Sequence, residues 1–155
     1  MANLLTLHRR VTKLPKGDWL FSRAFSFKAP YFGTVRPLFT ELRPNYAALT
    51  IRKRRRVLNH IGTVHVIAIC NGLEAAMGAL AESTVPQHKR WIPKGMSVDY
   101  TAKATSDITC IAETDAAQWS GDDPDVPVRV RAVRDDGTVV VQGVIRLWVT
   151  EKPTR

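Results

Sequence analysis

The sequence predicts an α+β domain in which a curled antiparallel sheet wraps around one long central helix, with short helices ahead of it. Three observations carry this expectation. The stretch from Gly62 to Glu82 is apolar on almost every side of a helix drawn through it, which marks a helix covered from all directions. Runs rich in β-branched and aromatic residues, punctuated by turn signals, lie on both sides of it. Their order is strand, strand, long helix, then several strands, and sequential hairpins supply the covering that a lone apolar helix needs.

Taken in order, residues 1–29 form an N-terminal helical segment and residues 30–155 the main domain. Leu4, Leu7, Val11 and Leu14, then Trp19, Leu20, Ala24 and Phe27, recur at helical spacing on either side of Pro15-Lys16-Gly17. Two short helices packed outside the main core are expected. Arg9, Arg10, Lys13, Lys16, Arg23 and Lys28 are interleaved there with Trp19, Phe21 and Phe25, so peripheral contact with a membrane surface is one use of the segment and docking on the protein's own sheet is the other. Pro30-Tyr31-Phe32-Gly33 marks the boundary. Residues 34–42 and 46–52 read as strands around an Arg43-Pro44-Asn45 turn, with Pro37 implying an edge or a bulge.

The central helix spans roughly residues 63–83, between Thr63, whose hydroxyl can cap an orphan N–H, and Pro86, by which a helix has ended. Asn71 and Glu74 interrupt it, and it reads as too short to span a bilayer. Helical spacing aligns Ala68, Asn71, Glu74 and Gly78 in a narrow polar and small-residue stripe. A carboxylate in such a helix is costly unless it is hydrogen-bonded, ion-paired or lining a wet cleft. Downstream, residues 90–104, 108–114, 128–133 and 139–149 read as strands. The last two are joined by Arg134-Asp135-Asp136-Gly137, a hairpin signal, and Gly121-Asp122-Asp123-Pro124-Asp125 reads as a loop.

At 155 residues and 45% hydrophobic content, one domain with a real core is expected. Cys70 and Cys110 lie in apolar surroundings with no metal-ligand spacing, so neither zinc nor a disulfide framework is indicated, and a reducing cytoplasm is the expected location. No secretory leader is visible in the first ten residues, nor a run read as long enough to cross a membrane. Against 14 Asp and Glu stand 23 Lys and Arg, a net charge of +9, which favours nucleic acid, acidic lipid or a phosphorylated small molecule. Arg52-Lys53-Arg54-Arg55-Arg56 concentrates that charge. In a strand, Arg52, Arg54 and Arg56 share a face. No helix-turn-helix, zinc pattern or stacking-aromatic motif accompanies the run, so nucleic acid is not the expected partner.

Asn59-His60-Ile61-Gly62-Thr63-Val64-His65, followed by the helix with Glu74, resembles the hotdog-fold acyl-CoA thioesterases, and more narrowly the phenylacetyl-CoA thioesterase-like branch and its uncharacterised relatives. The resemblance covers about residues 30–150 and includes the stretch from Pro93 to Tyr100 that opens the strand after the helix. It implies the hotdog fold and hydrolysis of a coenzyme A thioester; no cofactor and no metal are expected. In that family a His-Gly-Gly segment opens the helix, a backbone amide there polarises the thioester carbonyl, and a helix-borne Asp or Glu attacks or activates water. By this resemblance His65 and Glu74 match the His and the carboxylate, Asn59 matches an upstream polar residue, and Val66 and Ile67 replace the glycines, leaving the Val66 amide as the donor.

The chemistry is coherent in its own terms. A helix N-terminus offers unsatisfied N–H groups and a positive dipole end where charge can develop on a carbonyl oxygen, and Glu74 can serve as general base or nucleophile. Nine residues of helix span about 13 Å, too far for His65 and Glu74 of one chain to reach one carbonyl. A homodimer or homotetramer with helices side by side brings them together. For His65 the competing reading is a local hydrogen-bonding residue, and for Asn59 a loop-orienting one. Asn71 can hold the Glu74 carboxylate or satisfy a helix carbonyl, and Glu74 itself can be a structural ion pair. Arg52, Arg54 and Arg56 suit the pyrophosphate and ribose phosphate of coenzyme A. A non-catalytic acyl-binding or scaffold dimer and a basic nucleic-acid-binding module are the alternative functions.

Overall fold

The computed structural model of the chain describes residues 4–121 and 123–153. Residues 1–3, at the chain start read above for a leader, Asp122 of the acidic loop, and residues 154–155 lie outside the described residues. The central helix, α3 (Val66–Thr84), is where the fold is decided. Its mean hydropathy reaches 1.2 over 18 of its 19 residues, so length and composition alone would let it cross a membrane, contrary to the expectation from Asn71 and Glu74. Burial sets it apart: 67% of that window lies inside the protein, with Ile69, Leu73, Ala76 and Leu80 all but fully enclosed.

The cover is one six-stranded antiparallel sheet in the order β1-β2-β4-β5-β6-β3. Its strands are β1 (Leu38–Arg43), β2 (Tyr46–Ile51), β3 (Lys89–Tyr100), β4 (Ile108–Glu113), β5 (Asp125–Arg134) and β6 (Val139–Glu151). This is the curled sheet around a long helix that the sequence implies. β3 and β6 are long and paired over almost their whole lengths, with one register shift between Pro93 and Gly95. Such length lets the sheet coil around the helix. Close approach is possible where side chains are absent. A Cβ at Gly72 would stand 2.5 Å from Ile51 Cδ1 and 2.8 Å from Cys110 Sγ, so this glycine is what seats α3 against β2 and β4.

Asn45, in the left-handed conformation at the β1–β2 turn (φ 65°), ties three elements together. Its N–H donates to Thr84 Oγ1 (3.0 Å) at the end of α3, and its Oδ1 accepts from Thr114 Oγ1 (3.1 Å) after β4 and from Trp119 Nε1 (2.6 Å).

Several boundaries differ from expectation for local reasons. The strand expected over 34–42 begins at Leu38, because Pro30–Thr34 is a 3-10 turn and Arg36 takes φ 52° before Pro37. The strand expected over 46–52 ends at Ile51, and the basic run leaves the sheet: a 3-10 turn forms at Arg55–Val57. The alternation that would place Arg52, Arg54 and Arg56 on one strand face therefore does not apply.

The N-terminal helices α1 (Leu4–Val11) and α2 (Gly17–Lys28) form as expected on either side of the Pro15-Lys16 break. They do not lie outside the core. Leu5 and Phe21 belong to the same buried cluster as the sheet, and the Phe21 ring meets Phe39 edge-on at 5.4 Å. Ser22 Oγ accepts the Phe39 N–H (2.8 Å), where β1 carries a bulge between Phe39 and Glu41. A side chain of α2 thus occupies a donor on the outer edge of the sheet.

Gly72→Ala should be destabilising despite the better helix propensity. The propensity gain is about 1 kcal/mol, whereas overpacking against two fully buried side chains costs roughly 1–3 kcal/mol. Chemical denaturation of Gly72→Ala, Ile51→Val and the double variant tests this. Removing Cδ1 from residue 51 should relieve the clash, so the double variant should lose less stability than the two single losses combined; strict additivity would mean that α3 shifts freely.

Candidate active site at the start of the central helix

The loop before α3 is built by Asn59. Its Oδ1 accepts the N–H groups of Ile61 (3.2 Å) and Thr63 (3.1 Å), and its Nδ2 donates to Thr63 Oγ1 (2.8 Å). Gly62, at φ 80°, makes the turn possible. Both polar atoms of the Asn59 side chain are thus engaged in holding the loop. That loop delivers His65, whose N–H donates to Val57 O (2.7 Å), to the helix start.

Thr63 is not the cap that its position suggests, because Asn59 engages its hydroxyl. The N-cap is His65, whose Nδ1 accepts the Ile67 N–H (3.1 Å). The His65 carbonyl takes the N–H groups of Ala68 (2.9 Å) and Ile69 (3.2 Å). Of the first-turn amides this leaves the Val66 N–H without an acceptor among the described residues. It is an open donor at the positive end of a 19-residue helix.

Glu74 lies one turn before Gly78, where a Cβ would stand 3.7 Å from the Trp91 ring of β3, so the carboxylate sits on the flank of α3 turned toward that strand. It is half-buried and has no hydrogen-bond or ion-pair partner among the described residues. β3 is hydrogen-bonded on one side only. Met96 and Tyr100 pair with the buried Ile145 and Val141, and therefore point to the helix side of the sheet, yet both are exposed. Ile67 on the first turn of α3 is exposed as well. Exposed apolar side chains thus stand on the first turn of α3 and on the helix-facing side of the free edge strand, with the half-buried Glu74 carboxylate on the helix flank turned toward that strand.

Asn71 lies one turn before Glu74 in the same stripe of the helix. It is buried at 8% exposure and donates through Nδ2 to Tyr31 O (3.4 Å) and Thr34 Oγ1 (3.2 Å), leaving Oδ1 buried without a partner among the described residues. It therefore holds the Pro30–Thr34 turn rather than Glu74.

Arg54 Nη2 donates to Thr34 O (3.0 Å) beside it. Burial, then the nearby charges of Arg36 and Arg56, push the Arg54 guanidinium below its ordinary pKa. Arg36 and Arg56 therefore stand near enough for Arg54 to feel their charge, none of the three has an ion-pair partner among the described residues, and Arg52 stands exposed just past β2. Arg36 is the member that sequence reasoning missed. It lies some distance from the basic run in sequence, in a left-handed conformation just before Pro37.

The long helix in a curled antiparallel sheet, with an open helix start beside a free sheet edge, is the hotdog fold. The chain belongs to the DUF4442 family, a domain of unknown function, whose profile matches residues 17–149. No curated protein matches it by sequence. Among solved structures, one described only as a genomics target is 39% identical, with a TM-score of 0.85 over 97% of this chain and 100% of the other. A Pseudomonas aeruginosa protein described as a probable thioesterase shares 20% identity and a TM-score of 0.76, covering 90% of this chain and 97% of that one. A mutant thioesterase from the same organism shares 13% identity and a TM-score of 0.72 over 87% and 95%. At those two identities the likeness is one of fold.

His65→Ala should lower stability by about 1 kcal/mol, the usual worth of a side-chain cap, and the melting temperature by roughly 2–4 °C. His65→Ser, which supplies another capping acceptor, should recover most of the loss. Equal melting temperatures for the two variants would remove the capping role.

Proposed function

We propose that this protein hydrolyses acyl-CoA-type thioesters at sites shared between two chains. The observation that carries the reading is the pairing, on one helix, of an open N–H at Val66 with an unpartnered, half-buried carboxylate at Glu74. These groups are separated by about 12 Å of helix in one chain, so a two-fold partner that pairs along β3 and lays its helix alongside supplies the complement to each. In the site so formed, Glu74 of one chain takes a proton from water as the water oxygen attacks the thioester carbonyl. The Val66 N–H of the other chain receives the negative charge that develops on the carbonyl oxygen. Collapse of this intermediate breaks the C–S bond. The sulfur leaves with a proton, giving coenzyme A and a carboxylic acid. The exposed apolar side chains of Ile67, Met96 and Tyr100 are the groups that this reading assigns to the acyl chain.

The named function of several structural neighbours supports this reading at the level of the fold. His65 acts as the positioning residue that keeps the Ile67 N–H occupied and the Val66 N–H open. The three arginines Arg36, Arg54 and Arg56 are the phosphate-binding group of the reading, with Arg54 held in place by Thr34.

Two variants isolate the chemistry. Glu74→Gln should reduce kcat on acyl-CoA by roughly a hundredfold or more. Val66→Pro deletes the open N–H at the one helix position that tolerates proline, after a residue already extended at ψ 133°, and should reduce kcat by about 10²–10³. Mixing the two inactive proteins restores one intact site per heterodimer, which sets recovery at about one quarter of wild-type activity. Undiminished turnover in Glu74→Gln would overturn the assignment, and no recovery after demonstrated subunit exchange would place each site within one chain.

The arginine cluster has a separate signature. Arg36→Ala with Arg56→Ala should raise KM for acyl-CoA with kcat little changed, because the phosphates are held alike in ground and transition states. A short pantetheine thioester, which lacks the nucleotide, should show no such rise. Unchanged KM on full-length acyl-CoA would make the cluster a solvated surface.

A further inference from the structure

α2 is apolar on two opposite sides. Phe21 and Phe25 face the core, as a surface helix requires. On the far side Trp19, Leu20 and Phe27 stand 55%, 42% and 90% exposed, and helical spacing places Lys16 and Arg23 among them. Arg23 lies over the Trp19 ring, with Cζ 5.9 Å from its centroid. Leu14, just ahead of the helix, adds a fourth exposed apolar side chain.

Three large side chains on the outer face of a short helix need a partner, and the charge around them identifies its chemistry. Between Leu4 and Ala29 the basic residues are Arg9, Arg10, Lys13, Lys16, Arg23 and Lys28, whereas Asp18 is the sole acid. A second copy of this chain would set that basic surface against itself across a two-fold axis. The free β3 edge is no alternative cover, because α2 packs on β1 at the opposite end of the sheet. An acidic apolar surface satisfies both requirements. We propose that the outer face of α2 seats the protein on an anionic lipid bilayer, with Trp19, Leu20 and Phe27 among the headgroups and upper acyl chains and Lys16 and Arg23 at the lipid phosphates.

Co-sedimentation of the full chain with phosphatidylcholine vesicles, with and without roughly one-third phosphatidylserine, tests this. Wild-type protein should bind the anionic vesicles, release at high salt and ignore pure phosphatidylcholine. Phe27→Ser and Trp19→Ser should each lower partitioning on the order of tenfold, and Lys16→Glu with Arg23→Glu should abolish it. All four positions are exposed and outside the proposed site, so melting temperature and thioester turnover in solution should stay at wild-type values. A blue shift of tryptophan emission on adding anionic vesicles should vanish in Trp19→Phe. Failure to bind anionic vesicles at low salt would overturn the proposal. So would equal binding by Phe27→Ser and wild type, which would mean that net charge alone drives adsorption. Sedimentation velocity covers the remaining occupant: wild-type assemblies larger than those of Phe27→Ser would assign the face to a second copy and also overturn the membrane reading.

Discussion

The enclosure of α3 is the constraint from which the rest follows. A helix with apolar side chains around most of its circumference is stable in water only if every side is covered, and each covered side of α3 uses a different device. Gly72 lets β2 and β4 approach within contact of its backbone. Trp91 of β3 reaches the helix at Gly78, and the Pro30–Thr34 turn is tied to it nearer its start through Asn71. At full burial each large aliphatic side chain contributes on the order of 2 kcal/mol, so a gap anywhere along the helix is expensive.

The candidate site occupies the stretch where that enclosure is incomplete. On the first half of α3 one side packs on β2 and β4, while Ile67 is exposed and Val66 and Glu74 are only half-buried, and Met96 and Tyr100 on the helix side of β3 stay exposed. An open donor, an unpaired carboxylate and exposed apolar groups are each unfavourable alone. They lie toward the start of the helix, whereas its opposite end is pinned through Thr84 to Asn45.

Much of this was legible in the sequence because it depends on patterns of short range. The all-round apolar helix, the hairpin at Arg134-Asp135-Asp136-Gly137 and the Pro15-Lys16 break each carry their own local signal. What escaped was set by contacts distant in sequence. Thr63 looks like a cap until Asn59 engages its hydroxyl, and only then does His65 take the role. The basic run reads as a strand continuing β2, but the chain leaves the sheet after Ile51, and the Lys53 N–H bonds Asp107 Oδ1 (2.8 Å). Asn71 finds its partners at Tyr31 and Thr34, and no helical periodicity encodes them. Arg36, in a left-handed conformation that no composition rule announces, adds its charge near Arg54.

The hydrogen bond from the Phe39 N–H to Ser22 Oγ has a consequence for how copies of this chain add to one another. A sheet whose two rims are both bare can grow without limit, strand against strand, toward a fibre. Here both rim strands carry a register shift, but the β1 rim is sheltered by α2 whereas the other, along β3, has no strand beyond it among the described residues. Edge-to-edge addition therefore has one place to begin and, once two bare rims have met, none at which to continue: growth is self-terminating by geometry, without any charge or loop devoted to stopping it.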